Sequence, residues 1–191
     1  LQAGQQAVRR GDWDAAVQLL GRAMASSWVQ GDEKVVRAWS RARAEQLLRQ
    51  AQEARQRGAY AQAVSLVDRC RHELQPHGSL LEAEVQERLD VELRAGRAWL
   101  EYSLGEYDTA QQNLEEAMRL APETATWGED LQFLRRVAEG ARQLSQGAYT
   151  EAALNLEEAH RLRPDEGVAA RLLAQARTER NRERVRGIAY Q

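Results

Sequence analysis

The sequence predicts an all-α fold of stacked antiparallel helix pairs, about nine helices in total, and three observations point to it. A six-residue signature, Gly-x-(Trp/Tyr)-x-x-Ala, occurs four times: Gly11-Asp12-Trp13-Asp14-Ala15-Ala16, Gly58 to Ala63, Gly105 to Ala110 and Gly147 to Ala152. Its glycines are 47, 47 and 42 residues apart, and self-similarity at such a period marks a repeat architecture in which each unit buries its apolar face against its neighbours. The composition is helical, rich in Ala, Leu, Arg, Glu and Gln, with three prolines and no alternating stretch of the kind a half-buried strand needs. Finally, each signature alanine is followed at +4 and +7 by small or aliphatic residues: Leu20 and Ala23, Val67 and Cys70, Leu114 and Ala117, Leu156 and Ala159. That spacing makes one buried stripe on a helix.

The elements follow in order. Each signature glycine is expected to end a helix in the left-handed conformation, where the absence of Cβ removes the steric penalty. The aromatic two places on, Trp13, Tyr60, Tyr107 or Tyr149, then opens the next helix. Asp32 is a cap for a helix running to about Arg57, and Ser79-x-x-Glu82 and Thr126-x-x-Glu129 both fit a capping box. Prolines at +12, Pro122 and Pro164, stop the second helices of units three and four; Pro76 stands one place later in unit two, and Trp28 takes the place in unit one. The resulting segmentation is roughly 1–10, 12–29, 32–57, 59–74, 79–104, 106–120, 126–146, 148–162 and 165–186. Trp28, Trp39 and Trp127 lie near helix ends and read as packing residues between units.

The units resemble tetratricopeptide repeats, in a long-repeat variant. That family pairs a small residue in the first helix with Gly-x-Tyr-x-x-Ala, a second small residue and a terminal proline. Here the first small residue, seven before the glycine, is Gly4, Ala51, Ala98 or Gly140. The period exceeds the family's usual 34 residues and is closer to the longer repeats of some bacterial regulators and kinesin light chains. The family's large residue near the start of the first helix is Leu47 in unit two but Arg94 and Arg136 in units three and four.

The resemblance implies a right-handed α-solenoid with four repeats over 1–164, at about 1–29, 32–76, 79–122 and 126–164. The first repeat is expected to be truncated, or the chain excised from something longer, because only ten residues precede Gly11. Residues 165–191 are expected to form a polar capping helix and tail. The resemblance also implies a concave groove lined by the first helices. Carried over, its candidates are Gln52, Arg55 and Gln56 in unit two, Trp99, Tyr102 and Ser103 in unit three, and Ala141, Leu144 and Ser145 in unit four. Trp99 and Tyr102 share a helix face and are the strongest pair on that list, with a core role beside Leu100 and Leu104 as the alternative. The family's clamp for carboxylate tails needs a lysine that has no counterpart here.

Charge is uneven along the chain. Residues 1–72 carry net +5, 73–133 net −10, 134–160 net −1 and 161–191 net +4, for a total of −2. Such a field could steer a basic partner or favour contact between copies, and its plainest reading is a set of solvated helix faces. The arginines of 177–186 interleave with Glu179 and Glu183 and suit a solvated helix better than a nucleic-acid site. No apolar run spans a bilayer, and the first residues are not a signal peptide. The chain reads as soluble, with the cytoplasm as its first assignment. Cys70 is alone, and neither it nor His72, His77 and His160 has metal-site spacing. No glycine loop cradles phosphate and no nucleophile motif appears, so no cofactor is called for and an enzyme is not expected.

The expected function is therefore a non-catalytic protein–protein interaction module that holds a peptide or helix of a partner and scaffolds a complex. Self-association into a homo-oligomer, and a peptide-sensing segment of a bacterial signalling or transcriptional regulator, are the alternatives.

Overall fold

The computed structural model of the chain describes residues 1–26, 32–121 and 127–189, without the side chains of 127 and 187–189. Trp28, Pro122, Thr126 and the Trp127 side chain therefore lie outside the described residues. Within them the fold is all-helical and has no strand. The helices are α1 (Gln2–Arg10), α2 (Trp13–Met24), α3 (Glu33–Gln56), α4 (Tyr60–Leu74), a 3-10 helix (Gln75–Leu80), α5 (Ala83–Leu104), α6 (Tyr107–Leu120), α7 (Trp127–Ser145), α8 (Tyr149–Leu162) and α9 (Gly167–Ala189).

The chain divides into two compact units, 1–97 and 98–191, with the division inside α5. In the first unit α1 packs on α2, α2 on α3 and α3 on α4; in the second α6 packs on α7, α7 on α8 and α8 on α9. The first unit has one core around Ala16, Leu20, Val35 and Ala42 and another around Leu47, Leu48, Val67, Leu74 and Leu89. Trp39 packs against both, a packing role that matches its sequence reading. In the second unit Ala152, Ala153, Leu156, Leu173 and Ala176 join α8 to α9.

The four signature turns share one geometry. Gly11, Gly58, Gly105 and Gly147 have φ of 71°, 75°, 88° and 80°, and no other described residue has positive φ. At each turn the residue after the glycine donates to a carbonyl five places back: Asp12 to Ala7 at 3.0 Å, Ala59 to Ala54, Glu106 to Glu101 and Ala148 to Gln143 at 2.9 Å. The glycine N–H itself bonds three places back. Together the two bonds are the Schellman closure, which satisfies the last carbonyls of one helix so that the next can start at once. As expected, α2, α4, α6 and α8 each begin on the aromatic of the signature.

Behind the Gly11 and Gly147 turns the two helices meet at the small residue. A Cβ placed on Gly4 would stand 2.8 Å from Leu20 Cγ, and one on Gly140 would stand 2.6 Å from Leu156 Cγ. Both leucines are the +4 residue of the following helix. At the Gly58 signature the small residue is Ala51 and the +4 residue shrinks to Val67, so a methyl gained on one side is matched by a methylene lost on the other. The Gly105 signature combines Ala98 with Leu114. All of these alanines, leucines and the valine are at most 1% exposed.

Some boundaries differ from the sequence reading. Asp32 caps α3 through its carboxylate, which accepts from Lys34 N–H at 2.9 Å. Ser79 does not cap α5. Pro76 permits a 3-10 helix over Gln75–Leu80, so α5 starts four residues later, at Ala83, and the Glu82 carbonyl accepts its first bonds. The Gln86 side chain then ties this segment down by donating to the carbonyls of Gly78 and Leu81. Helix α2 ends at Met24, five residues short of its expected end.

One forked ion pair fastens α3 to α4. Arg43 donates through Nε and Nη2 to the two oxygens of Glu73, at 2.7 and 3.0 Å, and Arg69 adds a bond at 2.6 Å. These donors, Arg43 first, hold the Glu73 carboxyl down to about 2 against its partial burial. A depressed carboxyl contributes stability above its unfolded value of 4.5 and loses it as pH falls towards 2.

Two predictions follow from this packing. Gly140→Ala is expected to destabilise the protein, because overpacking costs about 1–3 kcal/mol against the roughly 1 kcal/mol that alanine returns in a helix. Adding Leu156→Val should restore most of the loss in urea melts, and no recovery would contradict the pairing. Arg43→Gln should lower the urea midpoint at pH 7, and its difference from wild type should shrink from pH 4.5 to 2; a constant difference across that range would show that Glu73 is not its electrostatic partner.

Candidate binding surface

The residues proposed for the groove separate into three groups. Gln52 and Gln56 are exposed on α3. Arg55 beside them is half-buried and donates through Nε to Glu92 of α5 at 2.9 Å. Its partner's side chain is only 4% exposed, so the charge of Arg55 is committed inside the fold. Removing one member of such a buried pair costs more than the pair gains, because it strands the other charge.

Trp99 and Tyr102 are core residues, each 2% exposed. Their shared helix face, which made them groove candidates, points inward at the second unit. Trp99 stacks on Phe133 of α7 at 6.0 Å between centroids and meets Tyr102 edge-on at 5.6 Å. Tyr102 also packs against Phe133 and Tyr107. The Arg163 guanidinium covers this cluster, 4.6 Å from the Trp99 centroid, and pairs with the buried Asp130 and more distantly with Glu166. A guanidinium over an aromatic face is attracted by the ring quadrupole, and more strongly when it is partly desolvated. Leu104, an alternative core residue in the sequence reading, is 68% exposed.

Sequence reasoning missed Phe133, Asp130 and Arg163. Phe133 is the chain's one phenylalanine, and Arg163 immediately precedes Pro164, which holds it out of the helix at the end of α8.

Ser103, Leu144 and Ser145 form the last group. Ser103 and Ser145 are exposed, but each hydroxyl donates back to a carbonyl of its own helix, Leu100 at 2.6 Å and Arg142 at 2.7 Å. Leu144 is half-buried and packs with the core between α8 and α9.

Ala141 and Ser145 do share an open cleft. It holds about 470 Å³ between the Gly105 turn and α7, with Asp108, Thr109, Ala138 and Arg142 on its walls. Through Arg142 it continues into a trough of about 600 Å³ over α7, where Gln111, Gln132, Arg135, Arg136, Glu139 and Glu158 converge. The arginines here already have partners. Arg142 donates to Asp108 and Glu139, both at 2.7 Å, and its bond to Asp108 raises its affinity for the proton. Arg135 donates to Glu115 at 2.8 Å, and Arg136 to the amide oxygen of Asn155 at 2.8 Å. Bonds from Gln111 and then Arg135 lower the Glu115 carboxyl from its ordinary value. This surface is therefore rich in hydrogen-bonding groups and close to charge-neutral.

Two polar links recur in this unit. Asn113 donates to Glu101 at 2.7 Å and Asn155 to Gln143 at 2.9 Å. In both, an asparagine at +3 from the signature alanine reaches the residue four before the glycine. Leu19 with Ala7, and Leu66 with Ala54, hold the same places in the first unit. An asparagine repeated at +3 was the available sequence signal.

Among the described residues no three His, Cys, Asp or Glu side chains gather as a metal group would. Cys70 is buried, and desolvation pushes its thiol up to about 12, so it carries little thiolate at neutral pH. No described helix is long and apolar enough to cross a membrane. No protein-family model matches the chain, and no curated protein matches it either.

Truncation separates the buried pair from the surface residues. Trp99→Ala is expected to cost about 3–5 kcal/mol, while Ser103→Ala and Ser145→Ala should stay within about 0.5 kcal/mol. Guanidinium unfolding of the three variants checks this, and a near-neutral Trp99→Ala would refute its place in the core.

Proposed function

We propose that the chain is a tetratricopeptide-like module, a right-handed solenoid of helix pairs, that docks a peptide or helix of a protein partner and carries out no chemistry of its own. The observation that carries this reading is the cleft between a signature turn and the following first helix, with Ala141 and Ser145 in it. It is open, lined by amides, hydroxyls and neutralised charges, and built on rigid helices that hold its shape before a ligand arrives. Such preorganisation limits the entropy lost on binding.

The four Schellman turns, the small-residue contacts and the aromatic helix starts all support the repeat assignment. Docking then falls to exposed positions of the first helices, Gln52, Gln56, Ser103 and Ser145, and not to the buried Trp99 and Tyr102.

Site-specific photo-cross-linking tests this directly. A photoreactive phenylalanine analogue placed at Gln52 or Ser145, on first helices, should give protein adducts in lysate of the native cells; the same probe at Gln18 or Gln112, on second helices, should not. Adducts confined to Gln18 and Gln112, or absent at all four positions, would overturn the reading.

A further inference from the structure

The second unit contains two clefts at corresponding positions, with Asp108, Ala138, Ala141 and Arg142 in one and Thr150, Arg180, Glu183 and Arg184 in the other, and they differ in how their arginines are paired. Adding 42 to each number carries α6 and α7 onto α8 and α9, and the register is checked by an ion pair common to both. Arg135 donates to Glu115 at 2.8 Å, and its counterpart Arg177 donates to the counterpart carboxylate, Glu157, at 2.9 Å.

In the first cleft Arg142 is bound by two carboxylates, Asp108 and Glu139. Its counterpart is Arg184, and the two carboxylates have become Thr150 and Asn181. Ala138 has become Arg180. The cleft persists, with about 400 Å³ lined by Thr150, Arg180, Asn181, Glu183 and Arg184. Among the described residues neither Arg180 nor Arg184 forms an ion pair, whereas the neighbouring Arg182 is held by Glu179 at 2.5 Å.

We infer that the cleft between the start of α8 and the second half of α9 binds a carboxylate side chain of an acidic protein segment. The fold itself supplies the template: in the equivalent cleft the same guanidinium is met by carboxylates. Here the chain withdraws both and keeps neutral donors, the Thr150 hydroxyl and the Asn181 amide, where they stood. Two arginines and these donors match an aspartate or glutamate, which accepts several hydrogen bonds at once. Glu183 offsets part of the positive charge, so the site favours a single carboxylate over a dense polyanion.

In the same register the α7 positions Val137, Gly140, Ala141 and Leu144 become Glu179, Arg182, Glu183 and Arg186, so this face of α9 is charged where that of α7 is largely apolar.

This inference rests on the reading of the chain as a docking module and gives its partner a chemistry. Fluorescence anisotropy with a labelled hexaglutamate peptide tests it, with a labelled oligothymidylate for comparison. Thr150→Asp restores the missing internal carboxylate without removing an arginine, and an acid in the first turn of a helix is well tolerated. It should weaken hexaglutamate binding by about tenfold, the size of a lost charge-assisted hydrogen bond. Arg184→Gln should do the same, while Arg161→Gln, the same charge removed elsewhere on the unit, should have little effect.

Equal losses in all three variants, no loss in Thr150→Asp, or no binding by the wild type would overturn the assignment. So would tighter binding of oligothymidylate that Thr150→Asp abolishes. Hexaglutamate binding unaffected by Thr150→Asp, with cross-links at Ser145 retained, would remove this site and leave the docking module standing. The opposite pattern would remove the docking surface and leave the carboxylate site.

Discussion

The close approach of two helices behind the glycine turns, tightest at Gly4 and Gly140, is the constraint from which the rest of the structure follows. A Schellman closure ends the first helix and leaves no slack in the chain, so the second helix must fold back directly against it. At the crossing there is room for at most a methyl group. Gly4 and Gly140 give up even that, at a cost in helix propensity, because Leu20 and Leu156 fill the space. With the crossing fixed, the signature alanine and the residues at +4 and +7 fall on the buried stripe, and the opposite helix faces are left to solvent. The surface chemistry is consequently a by-product of a packing rule that recurs along the chain.

That rule is why so much of the fold was legible. The glycines, the aromatic helix starts and the buried stripes are local patterns that each residue satisfies with its near neighbours, and they fall where the sequence places them. Legibility failed where a choice depends on distant residues. Ser79-x-x-Glu82 has every feature of a capping box, but Pro76 had already committed the preceding residues to a 3-10 helix, and the true start of α5 moved to Ala83. Trp99 and Tyr102 share one face, as their spacing requires, but spacing does not say which way that face points. Phe133 and Arg163, more than thirty residues away, decide it by closing over the rings. Their contacts carry no periodic signal, so the sequence reading could not weigh them.

The polar side chains of this protein are mostly spent on its own structure. Arg43, Arg55, Arg135, Arg142 and Arg163 each hold two helices or a helix and a loop together, and Asn113 and Asn155 tie second helices to first ones. A count of charges along the chain therefore overstates the field that a partner meets. What distinguishes one stretch of surface from another is where this internal pairing lapses, and in the second unit it lapses in the cleft of Thr150 and Arg184.

The packing depends most on the shared turn geometry, and native-state hydrogen exchange at four amides tests that geometry most directly. The N–H groups of Asp12, Ala59, Glu106 and Ala148 close the four Schellman turns on the carbonyls of Ala7, Ala54, Glu101 and Gln143. They are predicted to exchange slowly, at rates near those of the helix cores beside them, because opening any one requires separating the helix pair. Fast exchange at these four positions, with protected cores, would mean that the turns are not the rigid joints on which the packing depends.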